Sequence, residues 1–343
     1  MLCRRCGDVL RGTRGSAAVR VKHTRPNAET RWRVLQVVGL LLSAAWCCLG
    51  DIVIPLTTVG VPDNAADDTG HGSVAYTYQI STYEISVSQY TEFLNAKAGS
   101  DPYGLYDDSM GTGGGAGDGY IVQTGTEGEY SYNAVSGKEG QPIRHVSWYD
   151  TLRFCNWLHN GQGDGDTETG SYDMSAGANA LRVLNATWAL PLEDEWYKAA
   201  YYDPVGDLYY DYPNGTDAVP TEPSDQTTPR AMNFGDVPFW QGGVYYTSAG
   251  ETLGASPNGT YDQGGNVAEW LETRSLAFPD HLIRGGAFLD HEGALGANST
   301  DAAEPTMDGA GFGFRVVYLI PEPTAAVLML SGLALLMFAH RTR

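Results

Sequence analysis

The sequence predicts a loop-rich globular domain that mixes short helices and strands. Three observations lead there. Glycine accounts for 43 of 343 residues and tyrosine for 21, while charged residues are only 18%. That composition suits turns and aromatic anchors, not a helical bundle. Helix-start signals recur three times, separated by long Gly/Asp-rich stretches, and strand-like runs stand at both ends of residues 51–320. With 42% apolar residues the chain is no disordered acidic tail.

The elements follow in order. VAYTYQISTYEIS alternates with period two, which places Val74, Tyr76, Tyr78 and Ile80 on one face of a strand. Ser86 and Gln89 then form a capping box, and Tyr90, Phe93, Leu94 and Lys97 follow at helical spacing, so 87–97 reads as a helix. Ser147 and Asp150 form a second box after the strand-like PIRHV; Leu152, Cys155 and Leu158 give that helix its buried stripe. A third helix spans 192–202, with acids in its first turn to match the helix dipole and Trp196, Ala199 and Ala200 facing inward. The segments 99–141, 160–180 and 203–260 read as loops, and loops so long are normally functional or held by ions. Strands return in HLIRGGAF and GFGFRVVYL. No linker or repeat splits 51–320, which reads as one domain.

Charge is unevenly spread. Residues 1–50 hold nine Lys/Arg, whereas 51–320 hold 10 basic against 38 acidic residues. A domain near −28 repels nucleic acid and suits divalent cations, cationic partners or a high-salt medium. Residues 1–50 read as a leader. The apolar run 34–50 after a basic segment has the order of a secretory signal, and an initiation site upstream of the true one explains the long basic part. An uncleaved signal anchor is the alternative. At 321–343, Pro321-Glu322-Pro323 precedes a short apolar helix and a basic end. This tail resembles the PEP-CTERM sorting signal of certain bacteria, which implies processing by an exosortase-type enzyme and transient membrane attachment. A plain tail anchor would equally place the domain outside the cytoplasm, at the envelope surface or in the matrix. Cys3 and Cys6 lack the second pair a zinc site needs, and beyond the leader only Cys155 remains, a small core residue. The four Asn-x-Ser/Thr sites, Asn185, Asn214, Asn258 and Asn298, read as incidental.

YQISTYEISVSQYTEFLNA, PIRHVSWYDTLRFCNWLHN, ALPLEDEWYKAAYY, YDQGGNVAEW, IRGGAF and GFRVV occur in one order. Together they resemble the formylglycine-generating enzyme (sulfatase-modifying factor) family over about residues 60–318. The resemblance implies an irregular α+β domain of C-type-lectin-like fold, stabilised by structural Ca²⁺. By position its ligands would be the Asp262 side chain, the Gly265 and Val267 carbonyls and the Glu269 carboxylate. Mixed carboxylate and carbonyl oxygens around a glycine turn suit this hard cation. The alternative is a plain Asp/Gly turn with Glu269 in a salt bridge. A second family site would use Asn233 and the Phe234 carbonyl. DGDTETG (164–170) lacks the glycine and final glutamate of an EF-hand, so it reads as a solvated loop, and GGGAGDGY (113–120) is a single copy of a motif that needs stacking.

The family's oxidase chemistry needs two cysteines shortly after the RGG motif, to bind copper(I) through thiolates. Asp290 and Leu295 occupy those positions, and no cysteine follows Cys155. Formylglycine generation by that route is excluded. His291, beside Asp290 and Glu292, and His281 are the residues from which an iron-dependent oxidoreductase would have to be built; polar surface is the alternative for His291. His145 and His159 read as structural. Arg284 and Arg315 are expected to tie loops to carboxylates such as Glu195 or Glu269. The sequence therefore points to a binding domain for carbohydrate, matrix polymer or a surface protein, with exposed tyrosines as stacking platforms.

Overall fold

The two ends of the domain close on each other in one sheet. The computed structural model describes residues 51–112, 119–220, 233–235, 246–249, 254–276 and 279–320. Strand β1 (Leu56–Val59) pairs antiparallel with β2 (Tyr78–Ser81). The last strand, β12 (Val317–Tyr318), lies antiparallel between β2 and β5 (Trp188–Ala189), with Val317 opposite both Ile80 and Ala189. A second sheet runs in the order β10 (Asp301–Ala303), β9 (His281–Arg284), β8 (Ala268–Arg274), β11 (Phe312–Gly313). Its β8–β11 pair is parallel and the others antiparallel.

Helix α1 (Val87–Lys97) starts at the predicted box: Ser86 Oγ accepts from Gln89 N, and Gln89 Oε1 accepts from Ser86 N. A short α2 (Asp108–Thr112) and a hairpin, β3 (Ile121–Thr124) with β4 (Ser131–Ala134), occupy 99–141, where the sequence reads as loop. The alternation is there, with Ile121 and Tyr132 buried, but it is only four residues long on each side. Helix α3 (Trp148–His159) begins at the Ser147/Asp150 box and buries Leu152, Cys155 and Leu158 as expected. Helix α4 (Glu193–Tyr201) buries Trp196, Ala199 and Ala200. Phe93 and Tyr90 of α1 pack on Phe154 of α3, which also meets Phe314, so the central core is aromatic.

Three expectations need correction. Residues 74–77 are not strand: Val74 is buried, but its carbonyl accepts from Asp63 N, and Tyr76 is half-exposed with its hydroxyl on Glu195 Oε1. GFGFRVVYL forms two strands in two sheets, because the chain crosses between them at Phe314–Val316. The tyrosines are seldom exposed: of the twenty described, nine are buried and only Tyr76 and Tyr103 are exposed. The hydroxyls of Tyr78, Tyr90, Tyr120, Tyr132, Tyr201 and Tyr246 each donate to a backbone carbonyl of another segment. In a fold this poor in sheet, such phenols satisfy loop carbonyls that strands would otherwise satisfy. No helix among the described residues is long and apolar enough to cross a membrane; the segments 1–50, 113–118 and 321–343 lie outside them.

The second capping box carries a pH signature. Ser147 N–H and Oγ–H both donate to Asp150 Oδ2, at 2.9 and 2.6 Å, which favours the carboxylate. Burial outweighs them and pushes the Asp150 carboxyl up to about 6. The native protein then holds a proton that the unfolded chain releases near pH 4, so this contribution to stability is complete at low pH and lost as pH rises through 6. Relative to Asp150→Asn, the wild type should lose roughly 2–3 kcal/mol of unfolding free energy between pH 4 and pH 7 by urea denaturation. A pH-independent difference would contradict the assignment.

Candidate functional site

The turn 261–269 is coiled by three left-handed residues, Asp262, Gly265 and Asn266, with φ of 59°, 82° and 63°. Gly265 is irreplaceable for a second reason: a Cβ there would stand 1.9 Å from Asn233 O. Asn233 pairs with Gly265 in a parallel bridge, Asn266 N donates to Asn233 O at 2.8 Å, and Asn233 Nδ2 donates to Asn266 Oδ1 at 3.2 Å. Residues assigned from sequence to two separate calcium sites are thus brought side by side. Phe234 is buried and packs against Leu295. The turn also locks onto the RGG segment, since Gly265 N donates to Gly285 O and Phe288 N to Asn266 O.

Every candidate ligand among these is buried. Glu269 receives Arg315 bidentately, Nε to Oε2 at 2.5 Å and Nη2 to Oε1 at 2.7 Å, and Trp196 Nε1 donates to Oε2 at 2.7 Å. The same guanidinium reaches Ser81 O and Tyr261 O, so it joins β2, the turn and β8. Glu84, which the sequence did not single out, clasps the turn from the other side: Asn266 Nδ2 donates to its Oε2 at 2.7 Å and Val267 N to its Oε1 at 3.3 Å. Its carboxyl is pushed well up, first by burial and then by Asp262 and Glu269, with Arg315 opposing. Three buried carboxylates therefore surround one arginine. The signal for Glu84 was the one charged residue in the strand-like run YQISTYEIS.

The arginine pairings correct the expectation in part. Arg315 pairs with Glu269, as anticipated, but Arg284 takes Glu193, with Nε at 3.0 Å and Nη2 at 2.7 Å from Oε1. Glu195 belongs to Arg182, which bridges it to Glu272. Glu193 faces β9 because the first turn of α4 lies across the sheet, so acids two residues apart reach different arginines.

Behind the RGG turn lies an open cleft of about 270 Å³, lined by Arg284, Gly286, Asp290, His291, Thr300 and Asp301 among others. Asp290 Oδ2 accepts from Ala287 N and so closes the turn, while Leu295 is buried. His291 is exposed, and its Nδ1 accepts from Gly293 N. His281 lies elsewhere: it stacks on Trp148 at 3.6 Å, with its two ring nitrogens each 3.2 Å from a carbonyl, of Glu272 and Ala178. The structure does not bring the two histidines into one metal site, and no cluster of three His, Cys, Asp or Glu side chains positioned for a metal occurs among the described residues. His159 bonds Thr187, and Cys155 is buried in the core, its thiol pushed up by burial. In 164–170, Asp166 caps Glu168 and Thr169, and Glu168 pairs with Arg153. Asn258 is committed to the end of α4, with Nδ2 donating to Lys198 O and Tyr202 O.

A family model described as "Sulfatase-modifying factor enzyme 1-like domain" matches residues 56–320. Among solved structures, the crystal structure of CarF shares 20% identity with a TM-score of 0.52, covering 79% of this chain and 100% of that one. Variable protein 1 of Treponema denticola shares 15% at a TM-score of 0.48, over 78% of this chain and 96% of its own. PvdO from Pseudomonas aeruginosa shares 16% at 0.45, over 78% and 93%. No curated protein sequence matches.

Replacing Arg315 by Met leaves Glu269 charged and buried without its partner, which should cost about 3–5 kcal/mol by chemical denaturation. The double change Arg315→Met, Glu269→Leu should recover a large part of that loss. Equal stabilities for the wild type and Arg315→Met would remove the pair from its assigned role.

Proposed function

The chain belongs to the sulfatase-modifying factor enzyme 1-like family, and from that premise we propose that it is an exported, calcium-stabilised binding domain, not a cysteine oxidase. The observation that carries this reading is the cleft behind the RGG turn. The positions that would hold thiolates carry a turn-closing carboxylate and a core leucine. The polar groups that line the opening are hydroxyl, carboxylate, imidazole and the Arg284 guanidinium, set among small and apolar residues of the sheet and turn. Such groups offer both donors and acceptors for hydroxyl-rich ligands, which supports carbohydrate as the ligand class, with an envelope or matrix protein as the other partner. With only Tyr76 and Tyr103 exposed among the described tyrosines, the proposal turns to this cleft and away from tyrosine-bearing loops.

Calcium fits the turn 261–269 on charge. Glu84, Asp262 and Glu269 are buried around Arg315, which already holds Glu269, and the mutual repulsion that pushes the Glu84 carboxyl up is one that a divalent cation would relieve. Asp262, Gly265, Val267 and Glu269 would hold it, with Asn233 and Phe234 contributing from the paired segment. The ion would supply cross-linking of the turn, with no role in a reaction. The exported location rests on the leader and on the tail 321–343, where an exosortase-type enzyme would act.

Calcium removal by EGTA should lower Tm by roughly 5–10 °C, restored by added calcium and insensitive in Asp262→Ala. An unchanged Tm would refute the calcium role. In a panel of neutral and acidic oligosaccharides, the purified protein should bind at least one class, and Thr300→Trp, which fills the cleft, should weaken that binding at least about tenfold. Binding untouched by Thr300→Trp would move the ligand elsewhere on the surface, and no binding at all would sink the carbohydrate reading.

A further inference from the structure

The domain has few cations, and one of them is buried without a counter-ion. Arg144 is 2% exposed, yet it forms no ion pair among the described residues. Its guanidinium lies between two aromatic rings, 3.7 Å from the centroid of Tyr120 and 3.9 Å from that of Tyr246. Both phenols are anchored, Tyr120 to Arg144 O and Tyr246 to Ala310 O, so the sandwich is rigid. Nη1 reaches only Pro142 O, at 3.5 Å. Nε is buried with no partner, and no hydrogen bond from Nη2 occurs among the described residues. The Nε–H, one of the donors through which an arginine takes anions, is therefore buried and unsatisfied.

Two further buried polar atoms without partners belong to adjoining residues. His145 follows Arg144 and leaves Nε2 unbonded; Thr247 follows Tyr246 and leaves Oγ1 unbonded. A buried guanidinium is costly without compensation, and two π faces offset only part of that cost. A native structure rarely leaves buried polar atoms of three neighbouring residues without partners unless something bonds to them. His145 is neutral under these conditions of burial beside Arg144, so it adds no second charge. Asp107 acts on His145 at longer range, but its Oδ1 is occupied by Ser109 N.

We propose that Arg144 is the centre of a buried anion site that takes a small monoanion, halide or simple carboxylate, at its Nε–H. Tyr120 and Tyr246 fix the plane of the guanidinium, and the Thr247 hydroxyl supplies a further donor. Tyr120, His145, Tyr246 and Thr247 are all buried, which favours a small occupant. In a domain whose net charge repels anions, only a local, desolvated cation would hold one. Thr247 N also donates to Asn266 Oδ1 at 3.1 Å, so occupancy would stiffen the turn 261–269 from behind.

The test uses the full chain at fixed ionic strength and fixed calcium, starting in sodium gluconate, whose anion is too large to enter. Stepwise exchange for chloride, bromide, formate or acetate should raise Tm by a few degrees, with saturation. The anion with the lowest half-saturation identifies the halide or carboxylate arm. Arg144→Met should lose the response and melt in gluconate at or above the wild-type temperature, because it removes an uncompensated charge. Thr247→Val keeps the cation and should shift half-saturation upward, a readout that survives if Arg144→Met does not fold. Bromide-soaked crystals should show an anomalous peak beside Arg144. A flat response in the wild type, or an equal response in both variants, would overturn the site.

Discussion

Glu269 is fixed by the Arg315 guanidinium and the Trp196 indole at a point where four chain segments meet. Arg315 comes from the link between the two sheets, Glu269 from β8, Trp196 from α4, and the remaining arginine donors reach Ser81 and Tyr261. A domain with short strands and long connections has little sheet hydrogen bonding to set its geometry. Buried, directional ion pairs do that work here, since each charge is costly anywhere except against its partner. Arg182 with Glu195 and Glu272, and Arg284 with Glu193, repeat the device around the first turn of α4.

The scarcity of cations sharpens this point. With 10 basic against 38 acidic residues in 51–320, arginines might be expected on the surface to relieve repulsion. Instead Arg144, Arg284 and Arg315 are buried, and Arg182 nearly so. The surface is left acidic, and the buried arginines other than Arg144 are paired with carboxylates buried beside them, Glu193, Glu195, Glu269 and Glu272. Around the turn 261–269 even this is insufficient, and carboxylates outnumber the arginine. At Arg144 the imbalance has the opposite sign. Asn266 bonds both Glu84 and Thr247, the residue that follows the Tyr246 stacked on Arg144, so one asparagine links the two buried clusters.

Asp290 closes the RGG turn through Ala287 N, and Leu295 fills the core against Phe234. Each of these side chains satisfies a local demand, the acid of hydrogen bonding and the leucine of packing, and so helps to hold the rim of the cleft in place.

Much of the frame was legible in the sequence. Capping boxes at Ser86 and Ser147 fixed two helix starts because they are local, reciprocal hydrogen bonds within four residues. The ordered motifs gave the α+β family fold and located the turn 261–269, because its left-handed residues are encoded by Asp, Gly and Asn themselves. What the sequence could not assign was partnership between distant charges. Glu84 against Asn266, Arg284 against Glu193 rather than Glu195, and Arg144 between Tyr120 and Tyr246 all depend on how segments tens to hundreds of residues apart are laid together. Local propensity sets where a turn or helix begins; which buried charge meets which is decided only when desolvation makes every unpaired alternative too costly, and that happens in the packed tertiary structure alone.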